Sequence, residues 1–130
     1  MLSLLAVAWV LYAWQVEPRR LVVQRDTIAG TGIPPLDVAV VADLHHGMHP
    51  MDDARVREVV ARVNGLGADV TVLLGDYHAS VGPAEDVAPE RTARLLGALR
   101  APLGVYAVIG NHDRWKDAAR TERALTAAGI

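Results

Sequence analysis

The chain has 130 residues, with 13 Lys and Arg against 15 Asp and Glu, for a formal net charge of −2. That balance leaves no basic excess to hold a nucleic-acid backbone, and the absence of cysteine excludes disulfides, thiolate metal sites and cysteine nucleophiles. Any metal must be held by oxygen and imidazole nitrogen, in one domain with a core plus an appendage.

Residues 1–16 carry no charge and are apolar on every side, a pattern that needs lipid or deep burial. A helix of that length spans roughly 24 Å, against ~30 Å for a hydrocarbon core. Tyr12 and Trp14, followed by Arg19 and Arg20, have the order of an aromatic belt and then snorkelling cations. The segment is therefore expected to be a membrane-anchoring helix of the transmembrane type. No basic start or small-residue cleavage site marks it as a signal peptide. A buried core helix is the competing reading.

Glu17-Pro18 ends that helix, since proline removes a donor and restricts the residue before it. Residues 17–130 are taken as the second part of the chain. Leu21-Val22-Val23 reads as a short strand, and residues 30–35 as a loop rich in Gly and Pro. Residues 36–42 are a compact apolar run of buried-strand length. Across residues 51–67, Val56, Val59, Val60, Val63 and Leu66 recur at three- and four-residue steps, one face of a helix, with Asp52 and Asp53 suited to its first turn and Gly65 and Gly67 at its end. A second buried strand is expected over 70–74, a surface loop around Gly82-Pro83, a helix over 89–99, a third strand over 105–109, and a last helix over 115–128. Strands of this length alternating with helices imply βαβ units and a parallel sheet.

Each of the three buried strands ends in residues of metal-ligand type: Asp43-Leu44-His45, Gly75-Asp76 and Gly110-Asn111-His112-Asp113. In an open parallel sheet, sites form outside the carboxyl ends of the strands. Asp43 and Asp76 brought together there repel unless a cation lies between them. On an extended backbone the i and i+2 side chains of Asp43 and His45 point the same way and can grip one ion, while Gly75 and Gly110 let the backbone approach it.

These three motifs resemble the first three of the calcineurin-like metallophosphoesterases, and the phrase Ala101-Pro102-Leu103-Gly104-Val105-Tyr106-Ala107-Val108-Ile109-Gly110-Asn111-His112-Asp113 is similar to their membrane-anchored bacterial branch. The resemblance covers nearly all of the chain after Glu17. It implies an α/β fold, the amino-terminal half of an α/β/β/α sandwich with a mainly parallel sheet, behind the apolar amino-terminal helix. It also implies a hydrolase of phosphate esters, acting on phosphodiesters or phosphomonoesters. By the resemblance, Asp43 and His45 bind a first metal, Asp76 bridges both, Asn111 binds the second, and His112, oriented by Asp113, faces the scissile phosphate. Two divalent ions about 3.5–4 Å apart activate a hydroxide and clamp the phosphoryl oxygens, and mixed oxygen and imidazole ligands suit manganese, iron or zinc.

The family's later histidine motifs do not occur within these residues, so the chain reads as the amino-terminal part of the domain, inactive alone, with an apolar sheet face left bare. His46 and His78 are candidates for substrate contact. They and His49 read otherwise as solvated loop histidines. The expected partners are a phosphoester and, through residues 1–16, a bacterial inner membrane, with Arg19 and Arg20 leaning towards a cytoplasmic domain. Oligomeric state and substrate identity are not encoded in these motifs. The rival reading is a non-enzymatic, membrane-tethered binding or regulatory module that keeps a half site.

Overall fold

The computed structural model describes residues 2–30, 32, 34–79 and 86–130, in two compact units, residues 1–33 and 34–130. The loop expected around Gly82-Pro83 lies outside the described residues.

In the first unit, α1 (Leu2–Leu11) continues through a π-helical turn (Tyr12–Val16) into a 3-10 turn (Glu17–Arg19), whose proline ends the run. Leu4, Leu5, Trp9 and Trp14 all stand in solvent. Among the described residues no helix is long and apolar enough to cross a membrane, so the expected transmembrane helix is not supported. The strand expected at Leu21-Val22-Val23 is also absent, and residues 20–30 form no regular element. Apolar residues make a strand only where a neighbour accepts their main-chain bonds.

The second unit is a three-stranded parallel sheet in the order β1 (Val38–Val41), β2 (Val70–Leu73), β3 (Val105–Ala107), with α2 (Asp53–Asn64) and α3 (Pro89–Leu96) as crossovers. This is the α/β architecture expected, with shorter strands. The Asp52 carboxylate accepts the Arg55 N–H at 2.9 Å and caps α2, which buries Val56, Val59, Val60 and Val63. Pro89 opens α3, where a missing N–H costs nothing.

The last helix, α4 (Asn111–Ala127), begins four residues before the expected start, so the Asn111-His112-Asp113 motif forms its first turn. The helix is broken at Asp117 (φ −175°, ψ 94°). Arg120 pairs with Glu90 through two bonds of 2.7 and 2.9 Å and links α4 to α3.

The register puts Ala39, Thr71 and Val105 on one face of the sheet, and Val40, Val72 and Tyr106 on the other. Ala39, Thr71 and Leu73 are buried with the inward rows of the helices, whereas Val38, Val40, Tyr106 and Val108 are about half exposed or more. The bare apolar face foreseen from the sequence is present.

Gly75 and Gly110 stand back to back at the carboxyl edge. A Cβ on Gly75 would meet Gly110 N at 2.5 Å, and one on Gly110 would overlap the Asp76 carboxylate. The two glycines therefore let β2 and β3 end against each other, a need distinct from the approach of an ion or substrate.

Gly110→Ala should lower stability by about 1–3 kcal/mol or more, because backbone cannot yield as a side-chain tip can. Gly67→Ala, at φ 66° with nothing within 4 Å, should cost only about 1 kcal/mol. Denaturant midpoints decide, and equal losses would contradict the close-packing account. Val40→Lys with Val108→Lys should cut binding of a hydrophobic dye and raise solubility, with little change in melting temperature; unchanged dye fluorescence would place the apolar surface elsewhere.

Candidate metal centre

Strand pairing outlasts the strands themselves. Beyond β1 and β2, the N–H groups of Asp43, His45 and His46 donate to the carbonyls of Gly75, Asp76 and Tyr77 at 3.3, 2.9 and 2.9 Å, and Ala79 N–H donates to the His46 carbonyl at 3.1 Å. The two loops thus run side by side as a continuation of the sheet. Within them the backbone is not extended: Asp43, His45 and Asp76 have φ of 53°, 46° and 55°. Left-handed geometry at a residue with a Cβ costs roughly 1 kcal/mol or more. All three are expected metal ligands, and these turns, rather than strand alternation, bring Asp43 Oδ1 to 3.8 Å from His45 Nε2.

The Asp113 carboxylate is fully buried and accepts three main-chain N–H groups: Asp76 at 2.8 Å, Tyr77 at 2.9 Å and Gly110 at 3.0 Å. The structure thus gives Asp113 the task of fastening the loop after β2 to the start of α4. Asp76 answers in kind, its Oδ1 accepting the His112 N–H at 3.0 Å. A carboxylate at a helix amino terminus is stabilised there by the aligned peptide dipoles.

His45, Asp76 and His112 each offer one donor atom, and these atoms lie within 4.8 Å of one another. The His45 and His112 rings meet edge to face with centroids 4.6 Å apart. Nδ1 of His45 is buried with no hydrogen-bond partner among the described residues. Two imidazoles and a carboxylate with converging donor atoms form a set that suits a divalent cation. Asp43 is mostly exposed at the margin of this cluster, and Asn111 is exposed at the first position of α4. The tight cluster includes His112, which the resemblance sets opposite the phosphate rather than on a metal.

His46 and His78 are buried, each 1% exposed, and are not the solvated loop histidines of the alternative reading. His46 Nδ1 lies 2.9 Å and His78 Nδ1 3.2 Å from the same Thr92 hydroxyl, and His46 Nε2 lies 2.9 Å from Asp53 Oδ1. Burial holds His78 down to about 4, neutral at physiological pH. Burial works to raise Asp53, but the hydrogen bond and charge of Arg91, together with His46, outweigh it and hold the carboxyl below its usual value. His49 is exposed.

Three participants escaped the sequence reading. Trp115, 65% exposed, has its ring centroid 4.7 Å from that of His112, and the i, i+3 spacing would have revealed this had α4 been read from Asn111. Tyr77 is buried with its hydroxyl donating to the Val108 carbonyl at 2.7 Å, and burial, aided by the Asp113 charge, pushes it up. Thr92 gave no signal, because its place on the buried face of α3 only continues a helical pattern.

Comparison with known proteins identifies the family. Residues 36–127 match the model of the calcineurin-like phosphoesterase family. Two curated relatives, both named UDP-2,3-diacylglucosamine pyrophosphatase LpxG, are similar over 78 residues, at 37% identity in Chlamydia trachomatis and 31% in Chlamydia muridarum. In each case the match covers 60% of this chain and 22% of the relative, so the chain spans about a fifth of the length of the curated relatives it matches. No solved structure matches significantly. With a family match over most of its length and the three motifs gathered at one sheet edge, the chain belongs to the calcineurin-like phosphoesterase family.

Proposed function

We propose that this chain supplies the amino-terminal metal-binding portion of a divalent-metal-dependent hydrolase of phosphate esters. The observation that carries the reading is the cluster of His45, Asp76 and His112, with donor atoms within 4.8 Å of one another and one buried imidazole nitrogen unpartnered. His45 and Asp76, with Asp43 at the margin, would hold one cation, and Asp76 and Asn111 would be this chain's donors to a second. Such cations, when bound, supply Lewis-acid polarisation of phosphoryl oxygens and acidification of water.

The chain's own residues do the rest. The amino terminus of α4 directs its dipole at the anionic substrate, and a ring N–H of His112 donates a proton to the departing oxygen. Asp113 and the paired loops hold these groups in place before substrate arrives, which lowers the reorganisation needed during reaction. The chlamydial relatives are named as pyrophosphatases of a diacylated nucleotide sugar, so a pyrophosphate-linked, acylated substrate is the first to assay. Residues 1–16 would serve such a substrate by holding the protein at a bacterial inner membrane, without a full crossing by any described helix.

Titration calorimetry with Mn²⁺ tests the site. Weak but measurable binding is expected for the chain, reduced at least about tenfold by His45→Ala or Asp76→Ala; affinity unchanged by both substitutions would remove the metal site. Hydrolysis is expected to be negligible for residues 1–130 and clear, with added manganese, for a form extended to the length of the chlamydial relatives. Equal turnover of the two lengths would show the ligand assignment to be wrong, and tight metal binding with no turnover by either would favour the non-enzymatic module. Cell fractionation with and without residues 1–16 tests the anchor: the full chain should pellet with membranes, and equal solubility of both forms would refute it.

A further inference from the structure

The two metal-bearing loops are joined on their buried side by one hydroxyl. Thr92, itself 1% exposed on α3, has Oγ1 2.9 Å from His46 Nδ1 and 3.2 Å from His78 Nδ1. His46 follows His45 directly, and His78 lies two residues after Asp76. The main chains of His46 and His78 form a parallel bridge, closed by the bonds from His46 N–H to the Tyr77 carbonyl and from Ala79 N–H to the His46 carbonyl. The two loops are thus tied together on both their main-chain and buried sides.

One proton order fits this line when both imidazoles are neutral. The Asp53 carboxylate only accepts, so His46 Nε2, 2.9 Å away, carries a hydrogen. With both rings neutral, His46 Nδ1 is bare and takes the single proton of the Thr92 hydroxyl. The hydroxyl oxygen then accepts from His78 Nδ1–H, and His78 Nε2 is bare. That nitrogen is buried without a hydrogen-bond partner among the described residues and lies 4.0 Å from Asp113 Oδ1, too far for a hydrogen bond and consistent with two acceptors facing each other.

We propose that Thr92 is a positioning residue for the metal centre, fixing the loops of His45 and Asp76 through one directed hydrogen-bond chain that runs from His78 through Thr92 and His46 to Asp53. Every donor in the chain points towards the carboxylate, so each bond polarises the next. Asp53 is anchored in turn by Arg91, whose Nε lies 2.9 Å from the same Oδ1. Outer partners that orient metal-site residues change affinity by roughly 10–100-fold when removed. The inference rests on the metal-site reading, but its proton order can be tested without any metal.

Two measurements test it. In the metal-free chain, nitrogen-15 spectra of the histidine rings should report His78 as the Nδ1–H tautomer and His46 as the Nε2–H tautomer; His78 protonated at Nε2 would overturn the chain whatever the protein binds. For metal, Thr92→Val keeps the shape and removes the hydroxyl, and should weaken Mn²⁺ binding about tenfold, while Thr92→Ser should stay within about twofold of the parent chain. A folded Thr92→Val chain with parental affinity, alongside a His45→Ala chain that has lost binding, would overturn the positioning role and leave the metal site standing. Loss of affinity in Thr92→Ser equal to that in Thr92→Val would also overturn it, because bulk rather than the hydroxyl would then be responsible. If Thr92→Val does not fold, the tautomers and the serine variant decide.

Discussion

A buried carboxylate holds this fold to its purpose. An ionised group taken out of water is tolerated only when its oxygens are fully bonded, and Asp113 meets that demand with three main-chain N–H groups from two chain segments. Those amides could not be supplied by either segment alone, so the loop after β2 and the first turn of α4 must come together for the charge to be accommodated. The absence of a Cβ at Gly75 and Gly110 permits the approach, and Asp76 completes the exchange by accepting the His112 N–H. The positions of Asp76 and His112 relative to each other therefore follow from carboxylates accepting main-chain amides and not from a direct attraction between their side chains.

The same economy appears on the other flank. Parallel pairing that began as a sheet continues past the last strand residue of β1 and β2 as far as His46 and Ala79, so the loop of His45 inherits its register from the core. Buried valines and leucines set where the strands lie, and the strands set where the loops emerge. The chemistry at the edge is thus a consequence of hydrophobic burial some residues away.

Much of this was legible in the sequence because the signals were periodic or local. The valines of α2 recur with the helical period and the core strands are short apolar runs closed by motif residues, so both the α/β class and the shared edge could be read directly. What escaped depends on tertiary partners. A capping carboxylate three residues inside α4 reads as part of a motif until the amides it binds are seen, so the sequence alone points to a helix start at 115. His46 and His78 look like polar loop residues because nothing local reveals that Thr92 and Asp53 await them in the interior. Leu21-Val22-Val23 has strand composition and no strand to join.

The left-handed backbone at residues 43, 45 and 76 has a consequence for how such a chain changes over generations. Glycine occupies that conformation without penalty, whereas aspartate and histidine, though better tolerated there than most side chains, still carry a cost at all three places. Fold and chemistry pull in opposite directions there. Drift to glycine would relieve the backbone at 43 and 45, but at 76 it would also remove the acceptor of the His112 N–H. Asp76 has a fold reason to stay, since its Oδ1 accepts the His112 N–H, whereas among the described residues no hydrogen bond of that kind holds Asp43 in its left-handed turn.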